Sequence, residues 1–247
     1  HLEFEPDYWK AMGWAAGRGS SGPPAEIRRR REELAAEAGH PGGGPDLRAL
    51  RAGGADLLLL AGDVHLGVSS VAYADAAARY LGCPAFLCCG NHEFYGSDGA
   101  RLLPAMREAA AATEGRVTFL ERDRADLEVG GRRLAILGAT LWTDYRVNGG
   151  GPLALLAAER GLNDHKMIRW EGGRFTAARA RDIHYATRDW LGREIPRARD
   201  EADAVLVMTH HAPIPDANPP FYRGGELSPA FVSDMRGDIL DWQPDLW

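Results

Sequence analysis

An α/β fold is predicted for this 247-residue chain by three features of its sequence. Short apolar runs alternate with stretches of helical pattern, as in proteins with sheets at their centre. The runs Leu57-Leu58-Leu59-Leu60 and Val205-Leu206-Val207-Met208 are unbroken, as expected of strands covered on both faces. Polar residues rich in metal-ligand chemistry follow three of the runs, two of them directly after a glycine. Hydrophobic residues make up 45% of the chain, enough for a substantial core.

In chain order, the composition first shifts to Gly, Pro, Ala and Arg, marking an insertion at about 11–54 with Gly42-Gly43-Gly44 and Gly53-Gly54 as flexible punctuation. Within it, residues 23–38 read as a short helix: Pro24 suits a first turn, and Arg28/Glu32 and Arg29/Glu33 stand four apart. Strands are expected at 55–61, 84–89, 116–120, 133–138 and 203–209, and helices at 71–81, 100–113, 176–193 and 229–242. No repeat and no linker divides the chain, so a single domain over 1–247 is expected. Both ends read as cut: the chain opens on His1, and Pro244-Asp245-Leu246-Trp247 resembles a strand just entered.

Charge and cysteine usage narrow the function. Lys and Arg number 29 against 35 Asp and Glu, a net charge of −6, which argues against an extended nucleic-acid surface and favours a small phosphate substrate. The run Arg28 to Arg31 is interleaved with acids and reads as a solvated helix face. No apolar run approaches the roughly 20 residues that span a bilayer, and no secretory leader is seen, so a cytoplasmic location is the default expectation. Cys83, Cys88 and Cys89 form no CxxC pair; the adjacent two read as small buried hydrophobes in a strand. Oligomeric state leaves no readable trace.

The chemistry follows the strands. The first runs into Gly62-Asp63-Val64-His65, the second into Gly90-Asn91-His92-Glu93, and the last into His210-His211-Ala212-Pro213. Carboxyl ends of strands line the ligand crevice in open α/β sheets, so residues far apart in sequence can converge there. A carboxylate, a carboxamide oxygen and imidazole nitrogens suit Mn, Fe, Zn or Co. Asp63 can bridge two divalent ions with its two oxygens. Two such ions about 3.5–4 Å apart would stabilise the attacking and leaving oxygens of a phosphoryl displacement, the nucleophile being metal-bound water.

These words, in this order, resemble the calcineurin-like metallophosphoesterases, whose pattern is Asp-x-His, Gly-Asp, Gly-Asn-His-Asp/Glu, a later His and a final Gly-His-x-His. His1-Leu2-Glu3-Phe4 resembles the tail of the opening motif of bacterial members, with its Asp lying upstream, and 244–247 resembles the strand entering the final motif. The resemblance implies two mixed β-sheets packed face to face and flanked by α-helices, a four-layer sandwich. It also implies hydrolysis of a phosphate monoester or diester through a metal-bridged hydroxide. Asp63 would bridge the ions, Asn91 and His210 would bind the second metal, and His1 the first. His92 would sit beside the scissile group and stabilise or protonate it.

Other residues are expected to support the site or meet substrate. Glu93 and His211 are placed behind the ligands, orienting them. His65 is compatible with approach to a metal or substrate and equally with an ordinary surface position. Trp142 and Asp144, in Gly138-Ala139-Thr140-Leu141-Trp142-Thr143-Asp144, and Asn163 and Asp164, in Gly161-Leu162-Asn163-Asp164, resemble pocket-shaping segments of the bacterial branch. His40, His165 and His184 have no ligand context, and His184 is expected to pack in a helix. The competing function is a non-catalytic interaction scaffold with this fold and a degraded site, against which the joint presence of Asn91, His92 and His210 argues.

Overall fold

The computed structural model describes residues 54–247 apart from Pro219, together with Leu47 and Leu50. The chain separates between Arg51 and Ala52 into two units, and the elements described belong to the second, Ala52–Trp247. His1, His40, the helix expected at 23–38 and nearly all of the 11–54 insertion lie outside the described residues.

Three strands, β1 (Leu58–Ala61), β2 (Ala85–Cys88) and β3 (Val117–Phe119), form a parallel sheet in that order. A second, mixed sheet has the order β4-β5-β8, where β4 (Asp123–Val129) runs antiparallel to β5 (Arg132–Ala139) and β8 (Ala204–Thr209) runs parallel to it. A two-residue pair, β6 (Arg169–Trp170) and β7 (Gly173–Arg174), forms a separate small ladder.

Side chains alternate across a strand, and here the alternation sorts each apolar run between two interfaces. Phe86 and Cys88 of β2, Ile136 of β5 and Met208 of β8 meet Leu57, Leu59, Leu134 and Leu206 in one cluster that joins the two sheets face to face. The intervening residues Ala135, Leu137, Val205 and Val207 face outward and pack with Leu191, Ile195 and Ala198 of α5 (Ala177–Glu201) and with Met235 before α6 (Arg236–Trp242). On the other side, α1 (Ser69–Leu81) contacts β2 and β3, and α2 (Gly99–Ala111) contacts β3. The result is helices, sheet, sheet, helices: the four-layer arrangement that was expected. It explains why these strands carry no polar alternation.

Local chemistry sets the helix ends. Gly82 closes α1 in the left-handed region (φ 71°) with its N–H on the Ala78 carbonyl. Asp98 caps α2 by accepting the Ala100 N–H, and Thr176 caps α5 by accepting the Arg179 N–H. Arg188 of α5 holds Asp238 of α6 with two bonds of 2.7 Å each.

The structure departs from the sequence reading in five places, of which the small β6–β7 ladder is one. β4 is an additional strand: its polar residues Asp123, Asp126 and Glu128 lie exposed while Ala125 and Leu127 turn toward the sheet interface. It returns through Gly130-Gly131, both at positive φ, the geometry a two-residue hairpin demands. Two short helices, α3 (Pro152–Gly161) and α4 (Asp164–Met167), are also additional. The last helix is confined to Arg236–Trp242, because Val232 pairs as an isolated bridge with Ala212 and Met235 donates to the Pro213 carbonyl. Finally, α5 runs past Pro196 to Glu201. The ring of a helical proline crowds the carbonyl four residues back, here that of Gly192, and burial of Leu191, Ile195 and Ala198 favours continuation. Leu246 forms an isolated parallel bridge with Leu206. Among the described residues, no helix is long and apolar enough to cross a membrane.

Candidate metal centre

The loops after β1 and β2 are built to touch. Gly62 takes φ 84°, and a Cβ there would stand 2.2 Å from the Gly90 nitrogen. A Cβ on Gly90 would stand 2.2 Å from Asp63 Oδ1. Gly62 thus serves both the turn and the close approach, whereas Gly90 serves the approach alone. Asp63 itself adopts φ 55°, an unusual value for a residue with a side chain, of the kind that needs support from its surroundings.

Glu93 provides that support. It is fully buried, and its carboxylate accepts the N–H groups of Asp63 (2.8 Å), Val64 (2.7 Å), His65 (3.3 Å) and Gly90 (2.7 Å) and the Ser70 hydroxyl (3.0 Å). One side chain therefore ties both loops together. Asp63 in turn accepts the His92 N–H at Oδ1 (3.0 Å), and its Oδ2 lies 3.9 Å from His92 Nε2. The His92 ring lies against Tyr95, centroids 4.5 Å apart.

From the second sheet, β8 delivers His210 to the same point. Its Nδ1–H donates to the Ala61 carbonyl (2.9 Å), which turns Nε2 toward the ligand crevice. That Nε2 faces Asn91 Oδ1 at 3.1 Å and Asp63 Oδ1 at 3.5 Å. The Asn91 amide points its oxygen this way because its Nδ2 donates elsewhere, to Asp164 Oδ1 (2.8 Å) and to the Tyr95 hydroxyl (3.2 Å). Tyr95 donates to Asp164 Oδ1 (2.6 Å), and burial pushes its phenol well above the usual range, so it keeps its proton. A carboxylate oxygen, a carboxamide oxygen and an imidazole nitrogen thus converge. This mixed oxygen and nitrogen set suits a divalent cation, so these donors fit a divalent metal. Among the described residues no three His, Cys, Asp or Glu side chains form such a group; here Asn91 is the third donor.

His211 turns inward. It is buried, its Nδ1 donates to the Thr140 carbonyl (3.1 Å), and burial pushes its pKa down to about 3, so the ring is neutral. Its ring lies tilted on Trp142 (5.1 Å between centroids) and edge-on to His210 (5.0 Å) and so backs the ligand. Trp142 is only 2% exposed and packs on Phe94 and Phe175, which gives it a packing role. His65 accepts the Leu66 N–H at Nδ1 (2.7 Å). Asp144 accepts the Arg146 N–H and lines a cavity of about 490 Å³ that also includes Arg146, Asp234 and Arg236 but none of Asp63, Asn91 and His210. Asn163 precedes α4 without a capping bond from its side chain. His184 and His165 are buried, with Nδ1 on the carbonyls of Trp142 and Phe175 respectively, and burial lowers the pKa of each. All three cysteines are buried; burial raises the Cys88 and Cys89 thiols well above their usual range, leaving them inert.

The sequence reading missed Tyr95, Ser70 and Thr140. Tyr95 stands four residues after Asn91 in Asn-His-Glu-Phe-Tyr, a spacing that could have suggested contact within one turn.

Among solved structures, a phosphopantetheinyl hydrolase from Mycobacterium tuberculosis superposes with a TM-score of 0.54 at 20% identity, covering 75% of this chain and 68% of that one. A putative 5'-nucleotidase from Staphylococcus aureus, in complex with alpha-ketoglutarate, gives a TM-score of 0.35 at 13% identity, over 71% of this chain and 29% of that one. No curated protein matches the sequence. Residues 40–240 match the sequence family of calcineurin-like phosphoesterases, and the chain belongs to that family.

Proposed function

We propose that the protein hydrolyses a phosphate monoester or diester with two divalent metal ions, of which Mn, Fe, Zn and Co all suit the donors. The observation that carries this reading is the convergence of Asp63 Oδ1, Asn91 Oδ1 and His210 Nε2, with 3.1 and 3.5 Å from the imidazole nitrogen to the two oxygens. Bound ions would supply Lewis-acid stabilisation of phosphoryl oxygens and an activated water. Asp63 would hold both ions, and Asn91 and His210 would hold the second.

His92 is the acid or electrostatic group. Its backbone N–H is fixed on Asp63 Oδ1, which sets the ring beside the ligands, and an imidazole there can hydrogen-bond the transferring phosphoryl group or pass a proton to the departing oxygen. Glu93 keeps Asp63 and His92 in register by binding the backbone of both loops. His211 and Trp142 brace His210 from behind and exclude water from that side. A small phosphate ester is the substrate class the acidic chain favours.

The test is hydrolysis of p-nitrophenyl phosphate and bis(p-nitrophenyl) phosphate by the full-length protein, before and after chelation and with Mn restored. Activity should vanish on chelation, return with Mn, and fall about 1,000-fold or more in Asp63→Ala. Undiminished turnover by Asp63→Ala in chelator would refute the mechanism.

A further inference from the structure

The Asn91 amide has two orientations, related by exchange of its oxygen and nitrogen. Here Oδ1 is turned to His210 Nε2, 3.1 Å away. Turned over, the amide would instead aim an N–H at the place where a cation belongs.

Asp164 opposes it. The residue is 7% exposed, and its Oδ1 takes both the Asn91 Nδ2 (2.8 Å) and the Tyr95 hydroxyl (2.6 Å). Reversing the amide would set the Asn91 oxygen against a buried carboxylate and forfeit a charge-assisted bond. Asp164 is itself held in place through the backbone: Gly96 donates to the Met167 carbonyl (2.9 Å), Arg169 donates to the Ser97 carbonyl (3.0 Å), and Asp98 bridges Arg169. The segment after α4 is thereby laced to the loop that carries Tyr95, only four residues from Asn91.

We propose that Asp164, with Tyr95 as its partner, is the positioning residue that locks the Asn91 carboxamide with its oxygen toward the cation. The inference rests on the metal reading of the site. Its role is indirect: Asp164 acts on the ion through Asn91.

The experiment is calorimetric titration of the metal-stripped full-length protein with MnCl2, alongside thermal melting. Four proteins are compared: wild type, Asp164→Asn, Asn91→Asp, and the exchange Asn91→Asp/Asp164→Asn. Asp164→Asn no longer enforces either orientation and should weaken Mn binding about 10–100-fold at one site. Asn91→Asp sets two carboxylates face to face and should also bind poorly or melt early. The exchange restores a donor opposite a carboxylate with the direction of the bond reversed, and should recover Mn affinity to within about threefold of wild type, a coupling between the two positions. A merely structural Asp164 would not be rescued in this way. Folded Asp164→Asn with wild-type affinity, or an exchange variant no better than Asn91→Asp alone, would overturn the inference while leaving the metal reading intact. If Asp164→Asn does not fold, the comparison of the exchange with Asn91→Asp decides alone. Wild-type protein that takes up no Mn would sink the metal reading, and this inference with it.

Discussion

Two buried glutamates stand at the carboxyl ends of neighbouring strands, and their surroundings differ. Glu93, after β2, has four backbone N–H groups and a hydroxyl directed at its oxygens. Glu121, after β3, has among the described residues only Thr140, which donates from its N–H (3.0 Å to Oε2) and its hydroxyl (2.7 Å). Burial pushes the pKa of Glu121 up to about 7, with Thr140 pulling the other way. Glu93 is thus a strut gripped by five donors, while Glu121 has few donors and titrates near neutral pH. Both reach the candidate centre. Glu93 fixes the loops carrying Asp63 and His92, and Glu121 grips Thr140, whose carbonyl accepts both the N–H and the Nδ1–H of His211 behind His210.

The comparison breaks most decisively at Glu93. In Glu93→Gln an amide nitrogen replaces an oxygen among donors, leaving buried N–H groups without acceptors, and stability should fall by about 2–4 kcal/mol. Urea denaturation measures this, and a midpoint equal to that of wild type would show that the donor cage does not matter.

At Glu121 the effect is smaller and depends on pH. The folded protein holds this proton more tightly than the unfolded chain, so the contribution is fully present below pH 4.5 and is lost as pH rises through about 7. The rise from 4.5 to about 7 corresponds to at most about 3 kcal/mol. Glu121→Gln keeps the neutral shape and should remove this decline, so the variant should match wild type near pH 5 and exceed it at pH 8. Melting curves across pH 5–8 check it; parallel profiles for the two proteins would mean that Glu121 does not titrate in this window.

The same contrast explains what the sequence disclosed. Strands β2 and β8 were readable because burial on both faces makes them continuously apolar, and Asp63, Asn91 and His210 were readable because each follows such a strand. β4 hid behind Asp and Glu on its exposed positions, and α5 ran on through Pro196 because tertiary burial outweighs local propensity. The residues that orient the ligands were the least visible. Asp164 reaches Asn91 across 73 positions and Glu121 reaches Thr140 across 19, and neither separation follows from any local period. Glu93 could be placed near the site from its motif, but not its grip on four N–H groups from two loops.

The most direct test of the metal centre is anomalous diffraction from crystals of the full-length protein soaked in Zn or Mn. The account predicts a peak bounded by Asp63 Oδ1, Asn91 Oδ1 and His210 Nε2, at coordination distances of about 2.0–2.2 Å for zinc. Active crystals whose only metal peaks lie away from these three atoms would contradict it.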